Sequence, residues 1–167
     1  MTLTLHMHPL SSFCQKVLIA LYENGTPFEK HFLDLADPLR ALHVRLMDRF
    51  FALYVMQSMQ KIVLDNLRPE GAHDPHGVKE ARAVLGTALD LFERDMAAQP
   101  WAAGEDFTLA DCAAAPALFF VGKILPLARN HPNIVRYFER LCARPSYARA
   151  LEESEPYLSN FPGRAEE

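Results

Sequence analysis

The stretch from Thr108 to Val121 constrains the fold of this chain more than any other. Thr108 can accept a hydrogen bond from the backbone N–H of Asp111 while the Asp111 carboxylate reaches back to that of Thr108, the reciprocal pattern that opens a helix. Phe107 and Cys112 stand where a hydrophobic staple needs them. The helix that follows, to about Val121, is almost purely Ala, Leu and Phe. A helix apolar on every side has to be buried at the centre of other elements. Pro116 is expected to bend it.

The rest of the chain supplies helices to surround it. Leu39 to about Leu67 contains no Pro or Gly, and Leu42, Leu46, Met47, Phe50, Phe51, Tyr54, Val55, Met59, Ile62 and Val63 recur at helical spacing. Such a helix is roughly 40 Å long at 1.5 Å per residue. It is apolar on more than one face, so it is expected to touch a core and a second surface, another subunit being the candidate. Arg68-Pro69-Glu70-Gly71 ends it. Gly77 to Ala98 carries a single stripe of Val78, Ala81, Leu85, Ala88, Leu89, Phe92 and Met96, the mark of an ordinary core-facing helix. His131-Pro132-Asn133 opens another helix through Cys142, and Arg144-Pro145-Ser146 restarts a last one to about Glu153. The tail from Glu155 reads as irregular.

The N-terminal segment follows a different period. Leu3, Leu5 and Met7 alternate with Thr4, His6 and His8, which predicts a strand over Thr2–His8. After a turn at Pro9-Leu10, the almost wholly apolar stretch Ser12–Glu23 predicts a buried helix, closed at Asn24-Gly25, where Gly accommodates a left-handed residue. Phe28–Leu35 is the expected second strand, giving a β-α-β opening. The fold class is thus an incomplete α/β unit followed by an all-α helical bundle, with residues 1–38 in the first domain and 39–167 in the second.

Composition narrows the function. Half of the 167 residues are apolar and 23% are charged, as in ordinary globular proteins. The net charge of -4 and the interspersed Lys and Arg leave no basic footprint, which argues against nucleic acid as a partner. Cys14, Cys112 and Cys142 have neither metal-ligand nor redox-motif spacing and sit in apolar stretches, so buried reduced thiols of a cytoplasmic protein are expected. No signal-peptide pattern or membrane span is evident, because Pro116 and Pro126 break the longest apolar stretches.

Ser11-Ser12-Phe13-Cys14 lies where the first strand gives way to the first helix. Backbone N–H groups at such a junction carry the positive end of the helix dipole and stabilise an anion or a thiolate. A hydroxyl from Ser11 or Ser12 could donate to a bound sulfur and ionise it, without a covalent intermediate. Dithiol oxidoreductases place Cys-x-x-Cys here; with Ser11 first, thiol activation is expected in place of dithiol exchange, and Cys14 belongs to the helix packing. On this stretch alone, a Ser that merely caps the helix is the more common case. His6 and His8 have no partner pair that would complete a metal site, and His73, Asp74 and His76 read as a solvated turn. Phe50, Phe51, Tyr54 and Met47 could line an apolar pocket, although core packing explains their spacing equally.

Three segments look like one known family. His8-Pro-Leu-Ser-Ser-Phe-Cys-Gln-Lys-Val-Leu-Ile-Ala-Leu-Tyr-Glu-Asn-Gly25 resembles the first strand-helix segment of Ser-type, bacterial-like cytosolic glutathione transferases. Trp101 to Asp111 resembles the loop and capping box before the central helix of their helical domain. His131 to Ser146 is similar to their next helix and its Arg-Pro stop. The resemblance implies a thioredoxin-like first unit, glutathione as co-substrate, no metal, and Ser11 holding the glutathione thiolate with Ser12 as neighbour or substitute. Ser11 and Phe13 are the expected glutathione contacts. It further implies attack of the thiolate on a small, mostly apolar electrophile seated between the first helix and the long one, and a homodimer. Asp111 is assigned to structure.

One departure stands against this. Family members follow the β-α-β opening with a helix, a hairpin and a further helix, whereas here Asp37-Pro38 runs straight into the long helix. Two strands, a helix and their connections amount to roughly 40 residues by average element and loop lengths. The Val-Pro and Glu-Ser motifs that belong to that region have no counterpart. Either a segment is absent between about Ala36 and Leu39, which is the reading adopted, or a shortened protein relies on a partner chain to cover an open strand edge. A shortened form would bind glutathione weakly or not at all, and the alternative function is then a non-catalytic binding or assembly protein of the same fold.

Overall fold

The computed structural model of the chain describes residues 3–7, 12–32 and 38–162. Contacts divide the chain into two compact units, Met1–Leu42 and His43–Glu167.

In the first unit, strand β1 (Leu3–Met7) and strand β2 (Phe28–Phe32) pair in parallel, Leu3 opposite Phe28 and Met7 opposite Phe32. Helix α1 (Ser12–Glu23) joins them. It closes as expected at Gly25, whose φ of 58° is left-handed, with the Thr26 N–H reaching the Leu21 carbonyl at 3.0 Å. The expectation of a buried helix needs correcting. Val17, Ile19 and Tyr22 are exposed, Ile19 to 61%. Among the described residues the sheet has two strands, which offer too little surface to cover an apolar helix on all sides.

The second unit is helical. The long helix is present but not uniform: α2 (Pro38–Phe50), a π-helical segment (Phe51–Met56) and α3 (Gln57–Asp65) follow without a gap. Met47, Phe51, Val55 and Met59 are all buried and are spaced by four. Four residues exceed one α-helical turn of 3.6, so such a row drifts around an α-helix. The wider π turn, closed by i→i+5 bonds, holds the row against the core.

Helix α4 (Pro75–Asp95) buries Ala81, Leu85, Ala88, Leu89 and Phe92. Helix α5 (Leu109–Gly122) is the central one, burying Ala110, Asp111, Ala114, Ala115, Ala117, Leu118 and Val121, with Pro116 inside it. Helix α6 (Pro132–Cys142) adds Ile134, Tyr137 and Leu141. Its N-terminus is capped from another helix, the Glu93 carboxylate accepting from the N–H groups of Asn133 and Ile134 at 2.9 Å each. Helix α7 (Pro145–Ser154) buries no residue, but the Tyr147 hydroxyl donates to the Ala115 carbonyl at 2.9 Å.

Two further expectations need correcting. The segment Glu155–Asn160 is a 3-10 helix and not irregular, with Pro156 pre-set for its first turn. The thiols are not all buried: Cys112 is exposed, and Cys14 and Cys142 are intermediate. Cys112 falls on the outer side of α5, and this short side chain leaves little to cover.

Candidate functional site

In the parallel pair of the first unit, the carboxyl ends of both strands lie side by side at Met7 and Phe32, and α1 begins five residues after Met7. Ligands of parallel α/β units gather at the carboxyl ends of strands, where helix N-termini present unpaired N–H groups. The first turn of α1 contains no acidic residue, so its positive end is not neutralised from within. Met7 is buried at this end, whereas Phe32 is exposed.

Ser11, the residue expected to hold a thiolate, lies outside the described residues. Ser12 and Phe13 occupy the first two positions of α1, and their side chains are likewise outside the description. Cys14 follows in the same turn and is half-buried. His8 lies outside the described residues, as does the side chain of His6. Among the described residues, no group of three or more His, Cys, Asp or Glu side chains could hold a metal ion, and no helix is long and apolar enough to cross a membrane.

The second unit shows what Asp111 does. Its carboxylate is fully enclosed. One oxygen accepts from the Ala102 N–H at 2.8 Å and the Tyr137 hydroxyl at 2.7 Å, and the other accepts from the Thr108 N–H at 2.8 Å. The Thr108 side chain accepts from the Asp111 N–H, completing the capping box that the spacing predicts, and also from the Ala110 N–H at 3.3 Å. Burial, and then the Asp111 charge, push the Tyr137 hydroxyl far above its usual range, so it remains a donor. This carboxylate is a structural hub with no group left to offer a substrate.

Desolvation and then the adjacent Asp111 charge push the Cys112 thiol up to about 11, which keeps it protonated at neutral pH despite its exposed surface. Arg144 stacks its guanidinium 3.7 Å from the Phe107 ring centroid and 5.4 Å from that of Trp101, closing the loop before α5.

The turn between α3 and α4 is more ordered than a solvated loop. Asp74 caps α4, its carboxylate accepting from the Gly77 N–H at 2.9 Å and pairing with Lys61. A side chain at Gly77 would collide with that carboxylate. Asp65 accepts from the Asp74 N–H at 2.9 Å and lies 3.2 Å from His73 Nδ1. Asp-Pro at a helix start was the readable signal for the Asp74 cap. His76 is exposed beside Glu80.

Comparison with known proteins places these observations. Residues 44–145 match the family model described as Glutathione S-transferase, C-terminal domain. Glutathione S-transferase F13 of Arabidopsis thaliana is 26% identical over 130 residues, covering 75% of this chain and 58% of that protein. A glutathione S-transferase of Hyoscyamus muticus is 32% identical over 81 residues, covering 47% of this chain and 38% of its own length. The chain therefore spans well under two thirds of these relatives. Among solved structures, a glutathione S-transferase from Methylobacterium radiotolerans, in complex with glutathione sulfonate, superposes with a TM-score of 0.58 at 19% identity, over 98% of this chain and 96% of that one. One from Methylobacillus flagellatus, with glutathione bound, gives 0.62 at 18%, over 87% and 96%. At these identities the superpositions establish the fold, and the family model, which spans more than half of the chain, establishes the lineage: this chain belongs to the glutathione S-transferase family.

Proposed function

We propose that this chain is a cytoplasmic, Ser-type glutathione transferase-like protein that activates the thiol of glutathione for attack on a small, apolar electrophile. The observation that carries this reading is the N-terminus of α1, free of acidic residues in its first turn, at the carboxyl ends of a parallel strand pair. Residues 1–38 act as a partial thioredoxin-like unit and 39–167 as the helical domain. Ser11 donates to the thiolate, Ser12 neighbours or replaces it, and Phe13 contacts the tripeptide. The thiol proton leaves to solvent, the sulfur bonds to the electrophilic carbon, and the leaving group departs with the bonding pair. A homodimer is part of the proposal, because Leu39, Leu42, Leu46, Leu53 and Tyr54 form an exposed apolar stripe.

Retention on immobilised glutathione and turnover of a generic electrophile test it. Ser11→Ala is expected to lower turnover by about a hundredfold, the usual cost of removing one donor from a developing anion; full activity in that variant would remove Ser11 from the mechanism.

A second reading is favoured by one observation: among the described residues the sheet has two strands only. On that reading, a segment between about Ala36 and Leu39 is truly lacking, and the protein is a non-catalytic binding or assembly module of the same fold. A wild-type chain that neither stays on glutathione nor turns over would select it.

A further inference from the structure

Helix α7 and the 3-10 helix that follows it are the elements of the helical unit that bury no residue. Of residues 148–160, Leu151, Ser154 and Leu158 are half-buried and the others are exposed.

The stretch is held at its two ends. At the start, the Tyr147 hydroxyl donates to the Ala115 carbonyl of α5, and the Tyr147 ring stands edge-on to Phe138 of α6 with centroids 6.4 Å apart. At the end, the Phe161 ring lies 5.2 Å from Phe120 of α5, and the side-chain amide of Asn66, just after α3, donates to the Pro162 carbonyl at 3.3 Å. Phe120, Tyr147 and Phe161 all pack against the core. Between these anchors the hydrogen bonds are local. Arg149 Nε donates to Glu153 at 2.8 Å, the Ser154 hydroxyl to the Leu151 carbonyl at 2.8 Å, and the Phe161 N–H to the Leu158 carbonyl at 3.0 Å. Bonds of this kind keep the stretch in one piece and do not tie it to the core.

Proteins open first where few buried apolar contacts have to be broken. We infer that residues 148–162 form a clasp that opens as one unit. Phe161 and Pro162 part from Phe120 and Asn66, Tyr147 stays on Ala115 as the hinge, and the core from Met47 to Leu141 remains folded. Opening uncovers the Phe120 ring at the end of α5. Once detached, a helix as short as α7 is marginal in water, so its amides exchange with solvent in the open form.

Native-state hydrogen exchange of the full chain, followed by mass spectrometry at several urea concentrations below the unfolding transition, tests this. Relative to unstructured peptide, the amides of residues 151–154 are expected to exchange at least about a hundredfold faster than those of residues 88–92 in α4. Their exchange should also depend less steeply on urea, because opening the clasp exposes less surface than unfolding the unit. Two substitutions separate clasp from core. Phe161→Ala weakens the closed state against the open form and the unfolded chain alike, so exchange in both α7 and α4 should rise by about tenfold. Val55 is buried in the core, so Val55→Ala weakens the closed and open forms equally; it should speed α4 by about tenfold and leave α7 unchanged. The clasp is overturned if α7 and α4 exchange alike with the same urea dependence, if Phe161→Ala leaves α7 unchanged, or if Val55→Ala speeds α7 as much as α4. The wild-type comparison stands even where a variant fails to fold. No glutathione enters the experiment, so its outcome is read apart from that of the thiol site.

Discussion

Asp111 holds three segments together with one side chain. It is fully buried, yet the Ala102 N–H, the Thr108 N–H and the Tyr137 hydroxyl all donate to it. Replacing it by Asn keeps the shape but turns one acceptor into a donor that faces other donors. Asp111→Asn is therefore expected to destabilise the helical unit by roughly 2–4 kcal/mol, since hydrogen bonds to a charged group contribute about 1.5–3 kcal/mol each and a mismatched buried group adds its desolvation cost. Urea unfolding reads this directly, and a midpoint unchanged from the wild type would contradict it. The half of this hub that lies within four residues was legible in the sequence, because a capping box has a fixed spacing. Ala102 and Tyr137, nine and twenty-six positions away, were not, because no local period announces a tertiary hydrogen bond. Ser11 is the opposite case: its role is an expectation from sequence context alone, and its geometry lies outside the described residues.

Elements were legible where a period or a cap fixed them. The helices α1, α5 and α6 begin where Ser12, Thr108 and His131-Pro132 said they would, and the exposed second face of the long helix follows from its apolar count. The π-helical segment was hidden in a four-residue spacing that reads as ordinary helix until the drift is counted over three steps. The turn into α4 was hidden for another reason, since a Pro/Gly-rich loop looks solvated whether or not its acids are engaged. That turn gives a pH dependence. Asp65 is held below the usual carboxylate value chiefly by the Asp74 N–H, and Asp74 chiefly by Lys61 and then the Gly77 N–H. With folded values below the unfolded ones, the unfolded chain takes up protons first as the pH falls. The stabilisation is thus complete above about pH 5 and drains away as pH drops through the ordinary carboxylate value of about 3.9 and below. Thermal melts from pH 7 to 3 should stay flat and then fall, and Asp65→Asn should show a shallower acid limb. An acid limb parallel to that of the wild type would exclude this turn as its source.

At the scale of the molecule, the two units are built to different standards. The helical one has a continuous core from Met47 to Leu141, and its family was legible from the segments at Trp101–Asp111 and His131–Ser146. Among the described residues, the first unit consists of β1, α1, β2 and the first turn of α2. Helix α2 and the π-helical segment after it expose Leu39, Leu42, Leu46 and Leu53, and sedimentation equilibrium is expected to give twice the chain mass. Leu46→Glu together with Leu53→Glu should return a monomer with an unchanged helical spectrum; a wild-type monomer at micromolar concentration would refute the dimer. The two-stranded sheet also has a polarity of growth. Strand β2 carries Glu29 and Lys30, the charges by which natural sheets discourage a newcomer, whereas β1 reads Leu-Thr-Leu-His-Met, with no proline, acid, lysine or arginine. A strand added to this sheet is therefore expected to meet less opposition on the β1 side, which gives the small sheet a preferred direction of growth.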